Sequence, residues 1–241
     1  MKNFSIVVPT RGRVPGIHRL LQSIRSTAKN PNGIEIILRI DSDDLKTIAF
    51  TKRYDKHPLK IKIKDRSKFI SDLWEDAYKL TSADRIMVCA DDVIFRTDNW
   101  DEIIAKASPK PDKNVYFMYG NDLLQGKGLA TLPILSRSWV KLAGYFMPRG
   151  YKVDWCDTHL HDIARRLAKI EGIDPKAHIK YFSEIIFEHM HPNLGKAPWD
   201  KTYAFRRKMG TEQAQYDKRA NERAKIAIKM AKYILELSPA K

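Results

Sequence analysis

Cysteine and long apolar runs are scarce in this sequence. Its 241 residues include two cysteines, too few for a disulfide framework or a zinc knuckle. No apolar run approaches the ~20 residues that a membrane-spanning helix needs, and no signal-peptide pattern precedes the apolar residues 4–8. These absences predict a protein without a membrane span that works in the reducing cytoplasm.

Glycine-rich phosphate-binding motifs are missing as well. The chain has no Gly-x-x-x-x-Gly-Lys-Ser/Thr, and no Gly-x-Gly-x-x-Gly follows its first predicted strand. A nucleotide site in this protein therefore needs another design.

Acidic residues are outnumbered, and the formal net charge is +15. Residues 46–68 hold nine Lys and Arg against two acids, and residues 196–241 hold twelve against five. A clustered basic surface attracts polyanions such as nucleic acid, acidic glycans or an anionic membrane. The alternative is that the charge only keeps the protein soluble.

The order of apolar segments indicates an α/β domain. A hydrophobic share of 43% is enough for a sizeable core. In the first half, predicted strands over 4–8, 34–40, 59–64 and 86–90 are separated by helical patterns over 17–24 and 70–77. This βαβαβ order predicts a parallel sheet with helical crossovers. In the second half we predict strands over 115–119, 130–135 and 181–191, a helix over 157–169, a loop over 195–210 and a long amphipathic helix over 211–237.

Two carboxylates end the predicted strand Ile86–Ala90. Asp91 and Asp92 would lie at the C-terminal end of a parallel strand, where open α/β sheets bind ligands. Divalent cations with phosphates attached are held by one or two such oxygens. The pair could instead form an acidic turn or a helix cap.

Three motifs occur in an order that resembles a known fold. The first strand ends in Val-Val-Pro-Thr-Arg-Gly-Arg, the second in Asp-Ser-Asp-Asp, and the pair Asp91–Asp92 follows. Over residues 4–205 this order resembles the GT-A fold, specifically the glycosyltransferase family 2 type. The resemblance implies a Rossmann-like, mostly parallel central sheet flanked by helices over residues 1–210. A C-terminal amphipathic helix within residues 211–241 would pack on this domain.

The resemblance implies a nucleoside pocket at the ends of the first two strands. Pro9, Thr10 and Arg11 would line it. Asp41 would accept a hydrogen bond from the base, with uracil N3–H as the favoured donor, and Asp43 lies in the same acidic turn.

It also implies a diphosphate and metal site. Arg13 would lie near the phosphates, Asp91 would meet the ribose or the metal, and Asp92 would bind the metal directly. The first Asp of the family's Asp-x-Asp motif is replaced here by Ala90. Metal binding then depends on Asp92 and a later ligand.

His189 and His191 are the candidates for that later ligand. They are two residues apart on a predicted strand, so their side chains point to the same side. Imidazole suits Mn²⁺ better than Mg²⁺. Alternatively, one histidine caps the strand and the other is solvated. The tract 195–203 resembles a motif of phage and prophage glycosyltransferase-like proteins, with Lys196 on a phosphate.

The candidate catalytic base lies before the helix 157–169. Family 2 enzymes place a carboxylate at a helix N-terminus here, which makes Asp157 the first candidate and Asp154 the second. The helix N-terminus would lower the pKa of this carboxylate and keep it ionised. Asp157 could instead be an ordinary N-cap.

These features together predict a metal-dependent, inverting glycosyltransferase that uses a nucleoside-diphosphate sugar, with UDP-sugar favoured and Mn²⁺ or Mg²⁺ as cofactor. The charge favours a polyanionic acceptor, and we expect a hydroxymethylated base of phage DNA in the host cytoplasm, contacted by Arg206, Arg207 and Lys208. The alternatives are a polysaccharide or lipid-linked acceptor, or a catalytically silent nucleic-acid-binding protein on the same scaffold.

Overall fold

A mixed eight-stranded sheet forms the centre of the computed structural model, which describes residues 2–108, 114–200, 204 and 211–237. The strand order is β3-β2-β1-β4-β7-β6-β8-β5. The strands are β1 Phe4–Thr10, β2 Ile34–Asp41, β3 Leu59–Lys64, β4 Arg85–Val88, β5 Val93–Phe95, β6 Phe117–Asn121, β7 Ile134–Ser136 and β8 Ile179–His189.

Helices connect and flank these strands. They are α1 Val14–Thr27, α2 Leu45–Arg53, α3 Ile70–Tyr78, α4 Trp100–Ala107, α5 Arg137–Ala143, α6 Cys156–Leu167, α7 Pro175–His178, α8 Gln213–Lys218 and α9 Ala220–Leu237. Short 3-10 turns span Pro31–Gly33, Gly126–Gly128 and Pro192–Leu194. Within the described ranges, no helix combines the length and the apolar character needed to cross a membrane.

The predicted α/β fold class is confirmed, with a sheet that is mixed. Strand β1 pairs in parallel with β2 and β4, β2 with β3, and β6 with β8. Strand β7 runs antiparallel between β4 and β6, and β5 runs antiparallel to β8. Four of the seven neighbouring pairs are therefore parallel. The pairs among β1, β2 and β4 place the carboxyl ends of these strands at one edge.

Side chains of the sheet alternate between two apolar cores, as the period of a strand requires. Ile6 and Val8 pack with α1 and α4 on one face. Val7 and Ile37 pack on the other face, in a core that also includes residues of α5, α6 and α9. Both faces are buried, which explains why β2 reads as a nearly continuous apolar run.

The C-terminal segment is two helices where the sequence predicted one. Helices α8 and α9 meet at Arg219. Helix α9 packs against α5 and α6, and its inner face includes Ala227, Ala231 and Ile234. It also buries Arg223, whose Nε lies 2.5 Å from Asp162 Oδ2 on α6. The division into a domain over 1–210 and an extension over 211–241 stays a prediction.

A buried polar network ties α6 to the C-terminal helices. His159 is fully buried, and its two ring nitrogens lie 2.8 Å from Tyr145 Oη and 2.9 Å from Tyr151 Oη. Glu222 of α9 approaches His159 Nε2 to 3.9 Å. Burial, reinforced by the charge of Arg219, lowers the pKa of His159 to about 3. The imidazole is therefore neutral in the folded protein.

We expect His159 to make the folded protein less stable in mild acid. Below a pH of about 6.5 the unfolded chain binds a proton at His159 that the folded chain excludes, so stability is lost as the pH falls. Between pH 6.5 and 5 this amounts to about 2 kcal/mol at 1.36 kcal/mol per pH unit. Urea unfolding at pH 7 and pH 5 measures it. The variant His159→Gln keeps hydrogen-bonding atoms in the side chain but does not titrate. Between pH 7 and pH 5 its free energy of unfolding should therefore fall by about 2 kcal/mol less than that of the wild type. An equal fall in both proteins would contradict the assignment to His159.

Candidate functional site

The carboxyl ends of β1 and β4 bring the predicted motifs together. Thr10 ends β1, is buried, and donates a hydrogen bond from Oγ1 to Asp91 Oδ2 at 2.8 Å. Gly16 in α1 packs directly on the backbone of Asp91, because a Cβ at this glycine would lie 2.6 Å from the Asp91 carbonyl oxygen. Residue 16 must therefore lack a side chain for α1 to approach the acidic pair.

Arg13 forms ion pairs with three carboxylates of the site. Its Nη1 lies 2.9 Å from Asp91 Oδ1 and 3.1 Å from Asp92 Oδ2, while its Nε lies 2.6 Å from Asp200 Oδ2. Burial and the neighbouring Asp92 carboxylate raise the pKa of Asp91 to about 6, even though Arg13 and Thr10 act in the opposite direction. The acidic pair therefore strongly favours a nearby cation.

A second charged cluster lies at the ends of β1 and β2. Arg11 Nη1 donates to Asp41 Oδ2 at 3.0 Å, and Arg11 also pairs with Asp43, which is 60% exposed. The other oxygen of Asp41 accepts a 2.9 Å hydrogen bond from Arg39 Nη1. Pro9 is half-buried and pairs with Arg39 across the β1–β2 ladder. Pro9, Thr10, Arg11, Asp41 and Asp43 thus lie together as predicted, and their roles remain predictions.

Arg39 and Asp44 are site residues that the sequence reasoning missed. Arg39 is fully buried within the apolar strand β2, and its Nη2 donates to the Asp65 carbonyl at 2.7 Å. Asp44 caps α2 through the Thr47 N–H and accepts a 2.7 Å hydrogen bond from the backbone N–H of Gly12. The available signal was an Arg between Leu38 and Ile40 in a mostly apolar strand, since a buried charge requires a partner.

His189 lies beside Asp92, as the metal prediction requires. Strand β8 pairs with β5, which places His189 opposite Val93. His189 Nε2 lies 3.3 Å from Asp92 Oδ1, and its buried Nδ1 has no hydrogen-bond partner among the described residues. A separation of roughly 3 Å is what two ligands about 2.1 Å from one cation span at a right angle.

These residues fit a divalent cation in part. Over the described ranges, no three His, Cys, Asp or Glu side chains are grouped so that they could hold a metal ion. Asp92 and His189 would therefore supply two ligands, and the diphosphate and water the others, as is usual for cations bound with phosphates.

His191 and Lys196 contact residues outside the Asp91–Asp92 pair. His191 Nδ1 accepts a hydrogen bond from the Asn193 N–H at 3.1 Å and caps the turn Pro192–Leu194. Lys196 Nζ lies 2.7 Å from Glu188 Oε1. The ring of His191 remains 5.4 Å from that of His189. Of the two histidines, His189 is thus the one placed against Asp92.

Asp157 lies in the first turn of α6, and the alternative that it is the N-cap is wrong. Trp155 occupies the cap position, with a φ of 66°. The Asp157 carboxylate accepts a 2.7 Å hydrogen bond from the Thr158 N–H. The expected lowering of its pKa is also wrong, because burial raises it and this hydrogen bond offsets only part of the effect. A raised pKa suits a proton acceptor.

The loop before α6 is held by the C-terminal segment. Glu212 accepts hydrogen bonds from three consecutive backbone N–H groups, at 2.8 Å from Lys152 and Val153 and at 3.3 Å from Asp154. The Asp154 side chain is exposed. On the other side of the loop, the Ser71 N–H donates to the Tyr151 carbonyl. Ser71 belongs to α3, whose Trp74 donates from Nε1 to the Cys89 carbonyl at 2.8 Å. This chain of contacts links the start of α6 to the end of β4.

The basic segments carry less unpaired charge than their composition suggests. In the first segment, Lys60 pairs with Glu35 at 2.6 Å and Lys64 with Asp76 at 2.9 Å. In the second, Arg219 and Arg223 pair with Glu222 and Asp162. The predicted nucleic-acid contacts Arg206, Arg207 and Lys208, and residues 201–203 of the predicted phage-like tract, lie outside the described residues.

One family model matches most of the first half of the chain. Residues 5–123 match the family model described as "Glycosyl transferase family 2". This region contains Thr10, Arg13, Asp41, Asp91 and Asp92. No curated protein matches the chain.

Solved structures share the fold at low identity. One is residues 1–349 of S. aureus TarS in complex with UDP, with a TM-score of 0.59, 15% identity, and coverage of 78% of this chain and 59% of that chain. Another is the mannosyltransferase PcManGT from Pyrobaculum calidifontis in complex with GDP-Man and Mn²⁺. It has a TM-score of 0.63 and 12% identity, and the match covers 97% of this chain and 70% of that chain. The chain thus spans little more than half the length of the TarS fragment. At these identities the likeness shows the fold alone.

Proposed function

We propose that the chain is a glycosyltransferase of the family 2 type, whose family model matches residues 5–123. The proposed reaction is a metal-dependent, inverting transfer of a sugar from a nucleoside-diphosphate sugar to a hydroxyl of a polyanionic acceptor. The observation that carries the proposal is the position of Asp92. It ends the β4 region beside Asp91, it lies 3.3 Å from His189, and it pairs with Arg13.

The donor would lie across the carboxyl ends of β1, β2 and β4. Asp41, which is held by Arg11 and Arg39, would accept a hydrogen bond from the base, with UDP favoured. A carboxylate has about four acceptor positions, so both arginines leave room for a base N–H. PcManGT is described with GDP-Man and TarS with UDP, so proteins of this fold bind nucleotides and a sugar nucleotide, which supports a donor of this class.

Asp92 and His189 would hold the divalent cation, Mn²⁺ in preference to Mg²⁺ because imidazole is a ligand. When bound, the cation neutralises the charge that develops on the leaving diphosphate. Arg13 contributes a second positive charge near the same phosphates, and Lys196 can reach them if it leaves Glu188.

Asp157 is the proposed base. The acceptor oxygen forms a bond to the anomeric carbon while the bond from that carbon to the diphosphate oxygen breaks. The acceptor proton passes to Asp157, and the nucleoside diphosphate leaves with the electron pair. A single in-line displacement inverts the anomeric centre. Asp154 is the second candidate, because it is exposed on the loop directly before α6.

For the acceptor we propose DNA with hydroxymethylated bases, which agrees with the resemblance of tract 195–203 to a motif of phage proteins that the sequence suggests. Support comes from the net charge of +15 and from Trp199, which is 47% exposed and could stack on a base. The target base would have to be flipped out of the duplex. The pairing of Lys60, Lys64, Arg219 and Arg223 leaves fewer cations for phosphates, which keeps a polysaccharide or lipid-linked acceptor as the second candidate.

We expect duplex DNA binding to fall steeply with salt if DNA is the acceptor. Each neutralised phosphate contributes about −0.9 to the slope of log K against log salt, so six contacts would cost roughly a thousandfold between 50 and 200 mM. Replacing Arg206, Arg207 and Lys208 with Ala should flatten this slope by up to about three units and leave sugar-nucleotide binding unchanged. Filter binding at three salt concentrations measures the slope.

A charge-matched control is the replacement of Lys225, Lys229 and Lys232 on α9 with Ala, since these three lysines are exposed. An equal effect of both triple variants would mean that only net charge matters. A wild-type slope near zero would remove DNA as the acceptor and favour the polysaccharide.

Hydrolysis of a sugar nucleotide distinguishes an enzyme from a catalytically silent binding protein. The silent protein is the alternative that Ala90 favours, because this residue replaces the first Asp of the Asp-x-Asp motif. We expect slow, Mn²⁺-dependent release of UDP from a UDP-sugar without acceptor. A protein that binds DNA but releases no nucleotide from any sugar donor would support the silent scaffold.

A further inference from the structure

We propose that Arg13 is the resident cation of the Asp91–Asp92 pair in the ligand-free protein, and that a divalent cation competes with it for Asp92. The inference rests on the proposed function, because it concerns the metal that this function uses. It adds a role for Arg13 besides contact with the diphosphate: Arg13 would make metal binding depend on the nucleotide.

The geometry shows one nitrogen shared by two acids. Arg13 Nη1 lies 2.9 Å from Asp91 Oδ1 and 3.1 Å from Asp92 Oδ2, so it bridges the pair. The opposite oxygen of Asp92 lies 3.3 Å from His189. The Arg13 guanidinium and a cation bound by Asp92 and His189 would therefore share the Asp92 carboxylate.

The surroundings explain why Arg13 is held there. Asp91 is buried, the Asp92 side chain is 13% exposed, and Asp200 approaches Arg13 Nε to 2.6 Å. Two adjacent, poorly solvated carboxylates repel each other, and breaking a buried pair leaves an uncompensated charge. Arg13 can therefore withdraw from Asp92 only when another positive charge replaces it.

A divalent cation supplies that charge, but the positively charged guanidinium of Arg13 repels it. The diphosphate of a donor changes the balance because its oxygens accept hydrogen bonds from Arg13 and also bind the cation. Nucleotide and metal should therefore strengthen each other's binding by the same factor, as linkage requires. Metal alone should bind weakly to the wild-type protein.

The test is a Mn²⁺ titration, followed by loss of the electron paramagnetic resonance signal of free Mn²⁺, with and without UDP. Arg13→Met removes the charge and keeps an unbranched side chain. We expect it to raise the affinity for Mn²⁺ alone at least about tenfold, since a unit charge a few ångströms from a divalent cation opposes its binding strongly even at an effective dielectric constant of about 20. The factor by which UDP strengthens Mn²⁺ binding should shrink.

Arg166→Met is the matched control, since it removes the same charge from an ion pair with Asp162 on α6; its Mn²⁺ affinity should equal that of the wild type. If Arg13→Met fails to fold, as judged by its thermal unfolding curve, Arg13→Gln takes its place, because an amide can still donate to one of the acids.

The outcomes separate the two proposals. Unchanged or weaker binding of Mn²⁺ alone by the Arg13 variants, with normal Mn²⁺–UDP binding by the wild type, would overturn the competition and leave the proposed function standing. No Mn²⁺ binding by the wild type even with UDP would overturn both.

Discussion

Replacing Asp92 with Ala should abolish Mn²⁺-dependent nucleotide binding and leave the fold intact. Asp92 contributes one carboxylate to the pair with Arg13, and its other oxygen is the one that faces His189. A cation on this site would lose one of its two protein ligands and one of the two adjacent carboxylate charges that attract it. Isothermal titration with UDP at saturating Mn²⁺ measures the loss, and the thermal unfolding curve reports on the fold.

Asp98→Ala is the control for this experiment. Asp98 lies in the loop after β5, is exposed, and is not part of the acidic cluster. Its removal subtracts the same charge and should leave Mn²⁺-dependent binding unchanged. Undiminished metal-dependent binding in the Asp92→Ala protein would remove Asp92 from the metal site.

Replacing Asp157 with Asn should lower kcat by about 10²–10⁴-fold, the usual contribution of a general base, with little change in donor affinity. The amide preserves shape but cannot accept the acceptor proton, so an interaction made only in the transition state is lost. Burial raises the pKa of Asp157, so the acid limb of the kcat profile should lie above the ordinary range of an aspartate. Steady-state kinetics across pH measure both effects.

Asp154→Asn is the comparison for this variant. Asp154 is exposed, and its backbone N–H rather than its carboxylate is bound to Glu212. We expect a small effect on kcat. A large loss at Asp154 with none at Asp157 would exchange their roles, and no loss in either variant would place the base elsewhere.

Much of the fold follows from local pattern. The alternation of Leu59–Lys64 predicted β3 with the observed bounds, and the apolar run over 34–40 predicted a strand that the structure extends by one residue. The direction of β7 and the pairing of β5 with β8 depend on long-range packing, which short apolar runs do not encode. Helix α9 was predicted by its periodicity, while its buried Arg223 depends on Asp162 across the interface.

The sequence predicted the site residues that directly follow strands β1 and β4. It did not predict contacts between residues that are far apart in the sequence. Asp91, Asp92 and Arg13 follow from the ends of β1 and β4. The partner Asp200 lies 187 residues from Arg13, and Glu212 binds a loop about 60 residues away, so neither contact leaves a local signal. The pKa of Asp157 was predicted with the wrong sign because the helix N-terminus was considered without burial.

The central claim is that the ends of β1, β2 and β4 bind a nucleoside diphosphate together with a divalent cation. A thermal-shift titration of the wild-type protein with UDP, GDP and CDP, each with and without Mn²⁺, tests it most directly. We predict stabilisation by UDP that requires Mn²⁺ and reaches about 2.7 kcal/mol at a hundred times the dissociation constant. The absence of a shift with every nucleotide, with and without Mn²⁺, would contradict the account.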